Sequence, residues 1–339
     1  LGVCGTLSAQ IGYDLTTDAS VDYASLTGGF EHPPQLEAGM RSYWWWLNSM
    51  ATKESITRDL EEMNAKGYGG AIIFDAGSSN YSVAKRTEAG PLFLSEEWIE
   101  LYQHAVRQAD RLGMELSINT QSGWNPGSPE ITPEMALKKL VYSETVVDGG
   151  RRVKVTLPRP ESNLMYEDTR VQAIPVKRKD APVKDQAITQ WAKKSFNRTM
   201  GWRGMYPLHQ LRDGFDHAVD VVVIDPAERI DLTDRLDGDE LVWDAPGGDW
   251  LIIRYGWTCT GARTSTTSGG WGGLSVDHLC KDAFELFRTT TIQPLIDAAQ
   301  EAGDSLKFIH TDSWEMGRAN WTKRFPEEFE RLRGYDVYT

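Results

Sequence analysis

The stretch SYWWWLNSMATKESITRDLEEMNAKGYGGAIIFDAG, residues 42–77, decides the fold. It opens on an aromatic run of strand length, 42–48. Thr52 then stands where a helix N-cap belongs, and Ile56, Leu60 and Met63 recur at spacings of four and three, which places them on one helical face. Gly67 ends that helix, and GAIIFDAG, 70–77, is an apolar run that reads as a second buried strand. A helix joining two buried strands is the unit that makes neighbouring strands parallel.

Working outward, the unit repeats. Ser95, Glu96 and Glu97 open a helix carrying Trp98, Tyr102, Ala105 and Leu112, Gly113 closes it, and MELSINT is the third strand. A fourth strand begins KFIHTDSWEMGRANW, 307–321. The last helix starts near Pro326, with Phe325, Phe329 and Leu332 on its apolar side, and ends at Gly334. In between, from about Val141, the period changes to two: RRVKVTLP, VQAIPVKR, AVDVVVIDP and DELVWDAPGGDWLIIRYGW read as antiparallel strands, interrupted by an irregular stretch at 180–215. GGWGGL, 269–274, has glycines enough for a phosphate loop but no lysine and no strand-then-helix context, so it reads as a flexible connection. A helical pattern then returns with Ala283, Phe284, Phe287, Leu295, Ile296 and Ala299, and Pro294 is expected to kink it. The expected class is α/β, a partial (β/α)8 TIM-type barrel with an inserted antiparallel β module. The expected divisions are an N-terminal extension at 1–29, the first part of the barrel at 30–140, the module at 141–268 and a truncated continuation of the barrel at 269–339.

Composition excludes several function classes. The chain has 339 residues, 40% of them hydrophobic, enough for a sizeable core. A net charge of −13 with no cluster of Lys and Arg argues against a nucleic-acid surface. No apolar run approaches the roughly 18 residues of a membrane span. Cys4, Cys259 and Cys280 match no metal spacing. LGVCGTLSAQ, the first ten residues, is small and apolar like the tail of a cut export signal, so a periplasmic or secreted location is expected. Thirteen Trp and twelve Tyr supply flat faces that either fill a core or stack on sugars.

In a parallel barrel, residues just past each strand's C-terminal end converge on one face, where chemistry collects. Those positions are Asn48, Asp75, Asn119 with Gln121 and Trp124, and Asp312 with Glu315. Carboxylates placed there need partners, a metal or a substrate. Asp312 and Glu315 have a second reading, as a cap or a structural ion pair. His310, in the strand, reads as a core histidine, and Asp277 with His278 as a cap or a site. Carboxylates, amides and tryptophans with no nucleophilic Ser or Cys, phosphate loop or dinucleotide fingerprint suit glycoside hydrolysis by two carboxylates. A retaining glycosidase and a non-catalytic sugar-binding relative are the alternatives.

Four blocks in order, YWWWLNSMATKESITRDLEEMNAKGYGGAIIFDAG, INTQSGWNPGSPEITPEMALKKL, GLSVDHLCKDAF and FIHTDSWEMGRANWTKRFPEEFERLRGYD, resemble glycoside hydrolase family 106, the bacterial α-L-rhamnosidases, from about Phe30 onward. The resemblance implies a (β/α)8 barrel with attached β domains and inverting hydrolysis of terminal α-L-rhamnosides. It also implies a rhamnose-containing glycan or glycoside as partner and calcium at the sugar site. It makes Glu315, in DSWE, the general acid, while Asn48, Asp75, Asn119, Gln121, Trp124 and Asp312 are the substrate-binding positions expected from their place past the strand ends. The catalytic base is expected beyond Thr339, and no turnover is expected from this segment alone. The sequence departs from the family in WWWLNS, where family members often carry a His and have Gly at the position of Ser49.

Overall fold

A computed structural model of the chain describes residues 22–77, 89–176, 225–312, 314, 316 and 319–339. Helices α1 (Tyr23–Glu31) and α2 (Gln35–Ala38) lead into β1 (Met40–Leu47). Then follow α3 (Lys53–Ala65), β2 (Tyr68–Ala76), α4 (Glu96–Leu112) and β3 (Glu115–Asn119). Local chemistry sets these bounds. Thr52 and Ser55 exchange side-chain and backbone bonds of 3.1 and 3.0 Å in a capping box. Ser95 accepts from the Trp98 amide at 3.3 Å, and Gly113 takes the left-handed C-cap at φ 66°.

The chain continues through β4 (Gly127–Ser128), β5 (Lys138–Asp148), β6 (Arg151–Thr156), β7 (Tyr166–Pro175), β8 (Ile230–Asp231), β9 (Leu236–Asp237), β10 (Glu240–Ala245), β11 (Asp249–Cys259) and β12 (Leu274–Ser275). Helix α5 (Lys281–Phe287), a π turn (Arg288–Ile292), α6 (Gln293–Ala302), β13 (Leu306–His310) and α7 (Phe325–Arg333) complete it. β1, β2, β3 and β13 lie side by side in that order, and every pairing between them is parallel. The architecture is therefore mixed α/β around an open four-stranded parallel sheet. One face is covered: Trp44, Trp46, Ile73, Leu116 and Ile118 pack on Ile56, Leu60, Trp98, Tyr102 and Leu295 of α3, α4 and α6.

Two antiparallel sheets, β5-β11-β7-β8 and β6-β10-β9, form the second layer pair. Val147, Val171, Ala173 and Ile252 of one face Val153, Leu241, Trp243 and Ala245 of the other. Arg254, almost wholly buried, holds the Asp168 carboxylate with two bonds of 2.7 Å and Asp239 with one of 2.9 Å. Where this module meets the parallel layer, Lys138 Nζ donates to Asp277 Oδ2 at 3.0 Å, both side chains being all but inaccessible. Thr322 Oγ1 donates to the same oxygen at 2.9 Å, and the amides of Asn320 and Trp321 reach the Lys138 carbonyl.

Several expectations change. At Pro294 the helix is interrupted: a π turn at Arg288–Ile292 precedes it, and Pro294 stands in the first turn of α6. GGWGGL is not a loose connection. Trp271 is buried with its ring centroid 4.9 Å from that of Phe93, and a Cβ on Gly273 would lie 1.7 Å from the Ser128 carbonyl oxygen. Asp277 does not cap α5; it serves the buried ion pair and accepts from the Leu279 amide at 3.1 Å. Cys259 and Cys280 are both free thiols. The irregular stretch at 180–215 and most of AVDVVVIDP fall outside the described residues, as do Cys4 and most of the N-terminal extension. Among the described residues no helix is long and apolar enough to cross a membrane.

Candidate active site

Because the four strands are parallel, their C-terminal ends share one rim. Asn48 and Ser49 follow β1, Asp75 closes β2, Asn119 closes β3 with Gln121 and Trp124 just beyond, and Asp312 follows β13. Glu315 lies outside the described residues. The rim thus gathers every other sequence-predicted site position, but their side chains divide between two faces.

Asp75 faces the helices. Its register partner is Trp46, on the covered side of β1. It is fully buried, and four donors close its carboxylate: Ser49 Oγ at 2.5 Å, Ser122 Oγ at 2.5 Å, Ser268 Oγ, and the Trp98 indole N–H at 3.2 Å. Burial pushes the carboxyl above its ordinary range, and these donors pull it back. Asp75 was expected to touch substrate from its place at the strand end. In the fold it is turned away from the open face and holds the rim together.

Asn119 faces the other way. Its Nδ2 donates to the Gln121 carbonyl at 2.7 Å and the Gly123 carbonyl at 2.9 Å, which curls the loop after β3. Gln121 accepts from Thr120 Oγ1 at 2.7 Å and donates to the Trp124 carbonyl at 3.0 Å. Asn119 Oδ1 is buried without a hydrogen-bond partner among the described residues, an acceptor available to a ligand.

Beside Asn119 runs an aromatic face that the sequence reading only partly foresaw. Trp45 pairs with Phe74 and His310 with Asn119, so these side chains share one level across the four strands. Tyr43 stacks on Trp45 with centroids 5.7 Å apart at 18°, and Trp124 meets Trp45 edge-on at 5.2 Å. Tyr43 and Trp45 are each 45% exposed, while Trp44 and Trp46 are core. His310 is not a core histidine: its ring lies against Tyr43, and its Nε2 is 3.4 Å from the tyrosine hydroxyl and 3.9 Å from Asp312 Oδ2. Two residues beyond Asp312, Trp314 packs edge-on against His278 at 4.8 Å, and burial lowers the His278 imidazole below its usual value.

Sequence reasoning missed the three serines, because Ser49, Ser122 and Ser268 are far apart along the chain and form no local pattern. One signal was available for Asp75. In a strand, alternate residues share a face, so Asp75 had to follow Ile73 toward the helices.

The described residues contain no group of three or more His, Cys, Asp and Glu able to hold a metal ion. Asn119 Oδ1 is a single hard oxygen, and the Asp75 oxygens are taken. These residues alone therefore do not make a calcium cage.

A solved rhamnosidase from Novosphingobium sp. PP1Y superposes with a TM-score of 0.70 at 24% identity, over 93% of this chain and 42% of that one, a likeness of fold. A protein of Formosa agariphila whose name proposes a beta-glucuronidase is 34% identical over 321 residues, 93% of this chain and 26% of its own length. The chain thus spans about a quarter of that relative and under half of the solved structure. The model of glycoside hydrolase family 106, alpha-L-rhamnosidase, matches residues 31–339, and the chain belongs to that family.

Proposed function

We propose that this chain forms part of the catalytic region of an inverting α-L-rhamnosidase, with Glu315 as the general acid and a second carboxylate from outside these residues as the base. The observation that carries the reading is the rim itself: amide and carboxylate side chains at the ends of parallel strands, beside half-exposed aromatic rings, in a chain of family 106. Parallel sheets are normally covered on both faces. The open aromatic face of β1, β2, β3 and β13 is therefore read as half of a (β/α)8 barrel interior, covered by further strands in the longer protein. Asn48, Asn119, Gln121, Trp124 and Asp312 would hold the sugar, with Asn119 Oδ1 accepting from a hydroxyl and Trp124 or Trp45 against an apolar ring face. Asp75 leaves this set.

The name of the Formosa agariphila relative raises a glucuronide as substrate. The rim positions named here are neutral or anionic, which disfavours a uronate and favours a neutral deoxysugar. Calcium at the sugar site is part of the same proposal, with carboxylate and amide oxygens of the full-length protein and sugar hydroxyls as its ligands. Undiminished rhamnoside binding by the full-length protein after exhaustive chelation would remove calcium from the proposal.

The test offers the full-length protein terminal α-L-rhamnosides and β-glucuronides and follows the anomer released by NMR. Release of rhamnose with inverted configuration supports the reading. Retained configuration would point to a retaining mechanism, and binding without turnover to a sugar-binding relative; either overturns it.

A further inference from the structure

We propose that Asp75 is the positioning residue of the rim: its carboxylate, closed to any ligand, fixes the loops that carry Asn48, Gln121 and Trp124 against the strap 265–268. Each donor comes from a different element. Ser49 belongs to the turn after β1, Ser122 to the loop after β3, Ser268 to the strap between the β module and α5, and Trp98 to α4. The serines also meet one another, Ser268 Oγ lying 3.1 Å from Ser49 Oγ and 3.2 Å from Ser122 Oγ. The carboxylate is thus the common acceptor of a closed polar knot.

Backbone geometry supports the same assignment independently. Asn48 and Ser49 both sit in the left-handed region, at φ 52° and 54°, where a side chain is strained and glycine is usual. Ser49 keeps that conformation while its hydroxyl reaches Asp75. The strap presses on two glycines: a Cβ on Gly77 would lie 1.8 Å from the Thr267 carbonyl oxygen, and one on Gly123, at φ 80°, 2.1 Å from that of Ser265. Main-chain bonds complete the seam, with the Gly123 amide donating to the Asp75 carbonyl at 2.8 Å, the Gly77 amide to Thr266 at 2.7 Å and the Trp124 amide to Ser265 at 3.2 Å. The candidate sugar ligands Asn48, Gln121 and Trp124 are chain neighbours of these anchors.

The kinetic arm of the test rests on the rhamnosidase reading, and the structural arm does not. In the full-length protein, hydrogen exchange is followed for Asp75→Asn, Asp75→Ala and Ser268→Ala. Ser268→Ala keeps the carboxylate and is the variant to rely on if Asp75→Ala fails to fold. The amides of Gly77, Gly123 and Trp124 should lose protection together, by roughly tenfold or more, while those of Leu251, Ile252 and Ile253 in β11 stay unchanged. On a rhamnoside, Ser268→Ala and Asp75→Asn should raise KM severalfold and leave the pH limbs of kcat in place, because neither touches the proton-transfer groups. Loss of binding in Asp75→Asn with full protection in both variants would make Asp75 a substrate ligand and overturn the proposal. Uniform loss of protection, β11 included, would reduce it to general stability and overturn it equally. Absence of rhamnoside turnover in the unmutated protein would sink the functional reading and leave the exchange result to decide this one.

Discussion

The rim and the β module both hold carboxylates in hydrogen-bonded networks, Asp75 and Asp277 buried and Asp168 and Asp239 partly exposed, and they do so by opposite means. In the module and at its junction the partners are cations: Arg254 for Asp168 and Asp239, Lys138 for Asp277. At the rim the partners of Asp75 are three hydroxyls and an indole, all neutral. A cation cancels the charge it meets, so the module's networks are electrically closed and serve cohesion. A neutral cage satisfies hydrogen bonds without cancelling charge, so burial leaves the Asp75 carboxyl above its ordinary value, while the cations of the module hold Asp168 and Asp239 below theirs.

The largest effect that sharpens this contrast is catalytic. As the proposed general acid, Glu315 must hold its proton near neutral pH, and its sequence neighbours Trp314 and Asp312 offer the apolar and anionic surroundings that do so. Glu315→Gln in the full-length protein should then lower turnover of a rhamnoside with a poor leaving group by about 10² to 10⁴, the usual yield of general acid catalysis. A nitrophenyl rhamnoside, whose leaving group needs less protonation, should suffer less, and sugar binding should survive because Gln keeps the shape. Unmutated rates on both substrates would transfer the role to Asp312 or to a carboxylate outside these residues.

Removing a cation should act on stability. Lys138→Met leaves the Asp277 carboxylate buried with, among the described residues, the Thr322 hydroxyl and the Leu279 amide as its remaining donors. Breaking one partner of a buried pair costs about 3 to 5 kcal/mol, visible as a lower urea midpoint. Replacing both partners, as in Lys138→Met with Asp277→Leu, should recover most of it. A single variant as stable as the parent would show that the junction does not depend on charge pairing.

These contrasts were unevenly legible in the sequence. Apolar periodicity and the caps at Thr52, Ser95, Gly113 and Gly334 are local signals, and the elements lie where they point. Strand ends are local too, so the rim positions could be named. Which way a side chain points at a strand end depends on parity and register. That is why Asp75 was read as a ligand although Ile73, on the same face, is core. The serine cage and the Lys138–Asp277 pair join residues across long stretches of chain, and nothing in one sequence marks such partners. Trp271 shows the same limit: glycines on either side suggested looseness, and packing against Phe93 decided otherwise.

A smaller stability effect is expected from Arg254→Lys. The guanidinium makes two parallel bonds to Asp168, one to Asp239 and one of 2.8 Å to the Leu157 carbonyl. An ammonium keeps the charge and cannot reproduce that fork. The loss should be about 2 kcal/mol, the scale of one or two hydrogen bonds to charged groups. Because the module should loosen and the rim should not, the sugar's KM should stay within about twofold, less than the tenfold that 1.4 kcal/mol would produce.

The finest test uses pH, because the two kinds of carboxylate network have opposite signs. Burial raises the Asp75 carboxyl against the pull of its donors. A raised folded value means that its contribution is fully present below the ordinary value of 3.8 and is lost as pH rises through the folded value. For Asp168, burial also raises, but the bonds from Arg254 and Tyr166 and the charge of Arg254 outweigh it, and the folded value is lowered. Its contribution is present above 3.8 and lost as pH falls through the folded value. Asp239, held by Arg159 and Arg254, behaves in the same sense. After correction for intrinsic exchange chemistry, the Gly77 and Gly123 amides should therefore lose protection as pH is raised above 3.8, and the Leu251 to Ile253 amides as it is lowered below 3.8. If both sets loosened in the same direction, hydroxyls and guanidinium would be doing the same work for their carboxylates, and the distinction between rim and module would fail.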